Sequence, residues 1–161
     1  MVISWPKVIK DKGGLREQFV HVIDFVPTFL EVTGIAAPET VDGIKQEPIE
    51  GTSFAYTFDA KNKNAPSRHV TQCFEMMGQW AVYHDGWLMS SKANRAPWKA
   101  LMPTNEEPLN NQVFQLYNLN ESWNQSDDIA AQHPEKVTEM RAMFLEEAKK
   151  YQMLPLDRVC L

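Results

Sequence analysis

Cysteine and glycine are both scarce in this 161-residue chain. There are two cysteines, Cys73 and Cys160, and seven glycines. Two cysteines far apart, with no CxxC pair and no Cys/His spacing of the zinc-finger kind, exclude a disulfide-dense scaffold and a local zinc cassette. A 73–160 disulfide stays open, and with it the redox compartment. Glycine-rich phosphate loops and the GxSxG serine elbow are absent. Excess basic charge is missing too. The 16 Lys+Arg face 21 Asp+Glu, for a net charge of −5 and a pI near 5.4, which excludes a phosphate-attracting field and so a nucleic-acid partner. No apolar run approaches the roughly 20 residues of a membrane span. Met1-Val2-Ile3-Ser4-Trp5-Pro6-Lys7 lacks the basic leader and apolar stretch of a signal peptide.

What is present has ordinary globular character, with 43% hydrophobic, 23% charged and 11% aromatic residues. Three segments emerge. In the first, Val2-Ile3 and Gln18–Ile23 read as strands, the latter apolar and β-branched. Asp24 reads as a helix N-cap with Pro27 in the first turn, Phe25, Phe29, Leu30 and Val32 as the apolar face and Gly34 as the stop. Residues 35–67 form a long connection rich in proline and polar residues, of a length usually reserved for functional loops. The third segment alternates as strands over 70–76, 79–84, 87–91 and 113–119, with Asp85-Gly86 as a type I′ hairpin turn. A polar, proline-bearing excursion over 94–111 interrupts them. Pro134 opens a helix with Val137, Met140, Phe144, Ala148 and Tyr151 on one stripe, Glu135 in its first turn and Lys149-Lys150 in its last. The expected fold is α+β: a four-stranded antiparallel sheet packed by the long C-terminal helix.

Residues that carry chemistry are dispersed. His21, His69, His84 and His133 show no HxH or HxxxH spacing. His21 alternates within an apolar strand and reads as a core histidine, His84 as solvent-facing before its turn, and His133 as the slot before Pro134. His69 follows Pro66-Ser67-Arg68, where the long loop feeds a strand. The adjacent pairs Glu106-Glu107, Asp127-Asp128 and Glu146-Glu147 diverge on any regular backbone, so none is an acid/base dyad by spacing. No catalytic constellation and no metal ligand set is assembled in the sequence.

Several blocks in order resemble the late part of bacterial arylsulfatases of the alkaline-phosphatase-like superfamily. They run from Ser4-Trp5-Pro6-Lys7 and Lys12-Gly13-Gly14-Leu15-Arg16, through His21–Leu30 and Asp42-Gly43-Ile44 to Glu50-Gly51-Thr52-Ser53. Ala65–His69, Phe74–Gly78, Tyr83–Trp87, Leu116–Leu119 and the Pro134 helix continue the series, so the likeness spans essentially the whole chain. Trp80 and Leu88 depart from it, standing where many relatives carry arginine and lysine. The resemblance implies a sulfuric ester hydrolase in which a formylglycine, made within C/S-x-P-S-R, attacks sulfur beside a calcium ion. Those groups belong to the full-length enzyme. Here Asn64-Ala65-Pro66-Ser67-Arg68 places an asparagine at the nucleophile position, so no catalytic and no metal-binding residue carries over.

The resemblance therefore implies the C-terminal portion of a sulfate-ester hydrolase. Residues 1–66 would be the last strand and helix of the large α/β sulfatase domain plus a connecting loop, and 67–161 the C-terminal subdomain. Such a piece would pack on the N-terminal catalytic portion of the same enzyme and shape the rim of a pocket for a sulfate-ester small molecule. His69 and Glu75 are its rim candidates. The abrupt strand at residue 2 marks where a catalytic body would attach. For a full-length relative, a periplasmic or extracellular location stays open. A free-standing, non-catalytic binding module and a truncated gene product are the competing readings.

Overall fold

Asp85 and Gly86 have φ of 44° and 83°, the positive values a type I′ turn demands. They turn β4 (Gln79–His84) back into β5 (Trp87–Ser91). The computed structural model describes residues 1–76, 79–92 and 112–154. The expected 94–111 excursion, the Glu106-Glu107 pair and Cys160 lie outside the described residues. The chain divides into two compact units, Met1–Val70 and Thr71–Leu161.

In the second unit, β3 (Thr71–Met76), β4, β5 and β6 (Phe114–Asn118) form an antiparallel sheet in sequence order. The register aligns Cys73, Val82, Met89 and Leu116 in one row across all four strands, so these side chains share a face. The last long element, α2 (Pro134–Lys150), supplies Met140, Phe144 and Ala148 to this core, all fully buried with Val82, Met89 and Leu116. Each large apolar side chain so buried contributes about 1.5–3 kcal/mol. Helix α2 keeps its expected signals, with Pro134 at its start, Glu135 in the first turn and Lys149 and Lys150 in the last. Tyr151 departs from the expected stripe. It is the C-cap, 43% exposed, because the helix ends one residue before it.

Trp80 is 3% exposed and stacks on Phe144 with centroids 3.7 Å apart. Its indole N–H donates to Gln112 Oε1 at 2.7 Å. Trp80 thus packs on the helix-covered face of the sheet. Leu88 lies on the opposite face, in a row with Tyr83 and Tyr117.

The first unit is built differently. Its helix α1 (Phe25–Thr33) follows a 3-10 turn over Val22–Asp24 and ends at Gly34, whose φ of 70° suits the left-handed stop. The strands expected at Val2-Ile3 and Gln18–Ile23 do not form as ladders among the described residues. Local β-propensity yields here to side-chain partners. Phe19 N–H donates to Ser67 Oγ at 2.8 Å, His21 N–H donates to Asp24 Oδ2 at 2.7 Å, and Gln18 Nε2 donates to the Asn62, Lys63 and Ala65 carbonyls. Within the long connection a short hairpin, β1 (Thr40–Val41) and β2 (Ile44–Lys45), turns at Asp42-Gly43. Two 3-10 turns follow, at Ala55–Phe58 and Ala60–Asn62.

Candidate functional site

Asp24 is the most deeply buried charged side chain described, at 1% exposure. Its place between the 3-10 turn and α1 matches the expected N-cap, but its carboxylate makes no cap bond to the helix. Instead it collects donors from three segments. Oδ2 accepts from His21 N–H at 2.7 Å, and Oδ1 accepts from Thr52 N–H at 2.8 Å. His69 Nδ1 lies 2.7 Å from Oδ1 and 2.8 Å from Oδ2. Because the carboxylate already accepts two backbone N–H groups, Nδ1 is the donor in this contact. Charge-assisted hydrogen bonds of this kind are the strong ones, and a buried carboxylate persists only with such partners.

Thr28, one turn along α1, extends the arrangement. Its hydroxyl donates to Asp24 O at 2.6 Å and accepts from Phe54 N–H at 3.1 Å. Residues 51–54 thus run along the inner side of α1, bonded at Thr52 and Phe54. Gly51 makes that approach feasible, since a Cβ there would collide with the Ile23 carbonyl. Phe19 meets the His69 ring edge-on at 5.4 Å, and His21 lies 6.3 Å from the same ring. The cluster holds residues 19–28, 51–54 and 67–69 together.

The two rim candidates are placed differently. His69 is 9% exposed, with its Nδ1 turned onto Asp24. Glu75 is exposed on β3, opposite Trp80 in the register. His84 Nδ1 lies 2.8 Å from Thr71 Oγ1, so it is half-buried rather than solvent-facing. His133 occupies the expected position before Pro134, the N-cap of α2, without a side-chain bond to the helix. Asp128 Oδ1 accepts from the N–H groups of Leu116 and Ala130, which fastens the turn before α2 to β6. A groove of about 670 Å³ in the first unit, lined by Val2, Ile3, Trp5, Arg16, Phe54 and Phe58 among others, does not include Asp24 or His69. Among the described residues, no group of three or more His, Cys, Asp or Glu gathers as a metal site. No helix there is long and apolar enough to cross a membrane.

Sequence reasoning missed Asp24 as a hub. Two of its three partners lie 28 and 45 residues away, and only the Asp24–Pro27 spacing was locally visible.

The chain is 48% identical over 48 residues to an ulvan-active sulfatase of Formosa agariphila. Over those 48 residues the chain is similar to a sulfatase. That match covers 30% of this chain and 9% of the relative, so the chain spans a small part of the curated sulfatase it matches. No family profile matches the sequence. A solved chain from work on glycosaminoglycan metabolism by Bacteroides thetaiotaomicron superposes with a TM-score of 0.50 at 21% identity, covering 79% of this chain and 24% of that one. It matches the α+β fold of sheet and C-terminal helix. A protein solved with D-glucosamine-2-N,6-O-disulfate superposes at a TM-score of 0.49 and 15% identity, over 82% of this chain and 24% of its own. That likeness is too distant to add to the fold assignment.

Proposed function

We propose that this sulfatase-related chain is the C-terminal portion of a sulfate-ester hydrolase of the arylsulfatase type. Residues 1–66 are the last strand-and-helix region of its α/β domain with a connecting loop, and 67–161 are the C-terminal subdomain. The observation that carries this reading is the 48% identity over 48 residues to a sulfatase of which those residues make only 9%. In the whole enzyme this portion packs on the N-terminal catalytic portion and borders the pocket that takes a sulfate-ester small molecule. Glu75, exposed on β3, stands at that rim. His69 is the second rim residue, and through Asp24 it holds residues 51–54 and 67–69 in place.

The calcium and formylglycine of the family do not fit the residues present. Asn64 has no oxidisable group at the nucleophile position of its x-x-P-S-R stretch, and the described residues gather no metal ligands. No catalytic step is assigned to this chain. The test is turnover of an aryl sulfate such as nitrophenyl sulfate, with calcium, by the 161-residue chain and by the longer product read in frame upstream. The expected result is turnover by the longer product alone. Turnover by the short chain, or none by the longer product, overturns the proposal.

A further inference from the structure

Trp123 is the most exposed aromatic side chain among the described residues, at 83%. It stands on the connection between β6 and α2, and that connection is fastened on both sides of it. Before it, the Ser122 N–H donates to the Asn118 carbonyl at 3.0 Å, and the Asn118 amide donates to Glu121 Oε1 at 2.9 Å. After it, Asn124 Oδ1 accepts from the Ser122 hydroxyl at 2.7 Å and from the Ser126 N–H at 3.2 Å. The indole is therefore held out by an ordered turn, which lowers the entropy cost for a ligand that lands on it. The Asn120 and Gln125 amides, on either side of it in sequence, are exposed and make no side-chain hydrogen bond among the described residues.

The surroundings of the indole select its ligand. Among the described residues between Phe114 and Lys150, no other large apolar side chain is exposed. Trp123 is thus not part of an apolar patch of the kind that forms the centre of a protein interface. Residues 113–135 contain Glu121, Asp127, Asp128 and Glu135 and no Lys or Arg. That field repels nucleic acids, sulfated polymers and anionic membrane surfaces. A single indole face flanked by amides matches an uncharged sugar. The flat C–H side of a pyranose ring lies on the negative π face, and its hydroxyls exchange hydrogen bonds with amides, which both donate and accept. We propose that Trp123 is a stacking platform for an uncharged pyranose residue of a polysaccharide, with Asn120 and Gln125 engaging its hydroxyls. Binding by this chain alone is at issue, so the proposal does not rest on the hydrolase reading.

Affinity electrophoresis of the 161-residue chain in native gels tests it. Mixed-linkage β-glucan, xylan and desulfated carrageenan are the uncharged probes, and carrageenan is the sulfated one. Retardation by at least one uncharged probe is expected, with a dissociation constant at least about tenfold higher for Trp123→Ala and within about threefold for Trp123→Phe. Because the side chain is 83% exposed, both variants should keep the parent Tm within about 2 °C. Lost retardation then reports the platform rather than the fold, and a larger fall in Tm gives the indole a structural role and overturns the proposal. No retardation by any of the uncharged probes overturns it, as does equal retardation of Trp123→Ala. Stronger retardation by carrageenan than by its desulfated form assigns the surface to sulfate groups and also overturns it. Binding to phosphatidylcholine vesicles that is lost in Trp123→Ala assigns the indole to a membrane surface, with the same consequence.

Discussion

His69 Nδ1 lies 2.7 Å from Asp24 Oδ1, across 45 residues of sequence. With Thr52 N–H on the same carboxylate, this contact joins three segments that no local regularity connects. The first unit contains one nine-residue helix and a four-residue hairpin ribbon, both too short to be stable alone. Long-range polar bonds of this kind therefore carry much of its organisation.

Removal of either partner leaves buried polar atoms without their main neighbour. Asp24→Ala and His69→Ala are each expected to destabilise the chain by about 3–5 kcal/mol. The double variant costs less than the sum of the two, because one interaction is lost in both. Urea unfolding midpoints of the four proteins measure that coupling, and strict additivity would show that the pair is energetically independent.

Gly51 is required for space rather than for backbone conformation. Gly51→Ala places a Cβ against the Ile23 carbonyl, a backbone atom that cannot rotate away. The expected loss is about 2–3 kcal/mol. Loosening should also reach the Thr52–Asp24 bond, so faster amide exchange at Thr52 is the specific signature.

Trp80 stacks on Phe144 inside the second unit. Trp80→Ala is expected to cost about 3–5 kcal/mol through the cavity it opens. Trp80→Arg buries a cation where Phe144 now stacks and is expected to cost at least as much. Thermal unfolding with near-ultraviolet dichroism reads both. A neutral Trp80→Arg would show that the site is open enough to hydrate the charge.

Burial, reinforced by the nearby Glu147 carboxylate, pushes the Cys73 thiol up to about 12. The thiolate is the reactive form, so alkylation of folded Cys73 by iodoacetamide at pH 8 should be far slower than in urea. The sign for stability follows from the same shift. The folded value exceeds the unfolded one, so the contribution is complete below about pH 8.5, the ordinary thiol value. It is lost as the pH climbs from there towards 12. Cys73→Ser should flatten the alkaline fall in a Tm-against-pH series.

The second unit was legible in the sequence because its signals are local and repeat at short range. Period-two alternation placed the strands, Asp85-Gly86 placed a turn whose φ values few residues accept, and Pro134 with the Met140–Phe144–Ala148 stripe placed the helix. The first unit was less legible. The apolar run at Phe19–Ile23 has strand propensity, yet its backbone groups at Phe19 and His21 are taken by Ser67 and Asp24, so no ladder forms there. The same geometry decides which side of α1 faces inward: Phe29 belonged to the expected apolar face and stands 63% exposed, while Asp24 and Thr28 go inside. A carboxylate exchanges hydration for whichever donors the tertiary fold delivers, and donors 28 and 45 residues away leave no local trace. The sequence by itself determined the sheet and the long helix. Only the tertiary structure decided that Asp24 is a buried hub and that Val22, Val26 and Phe29 are left facing outward.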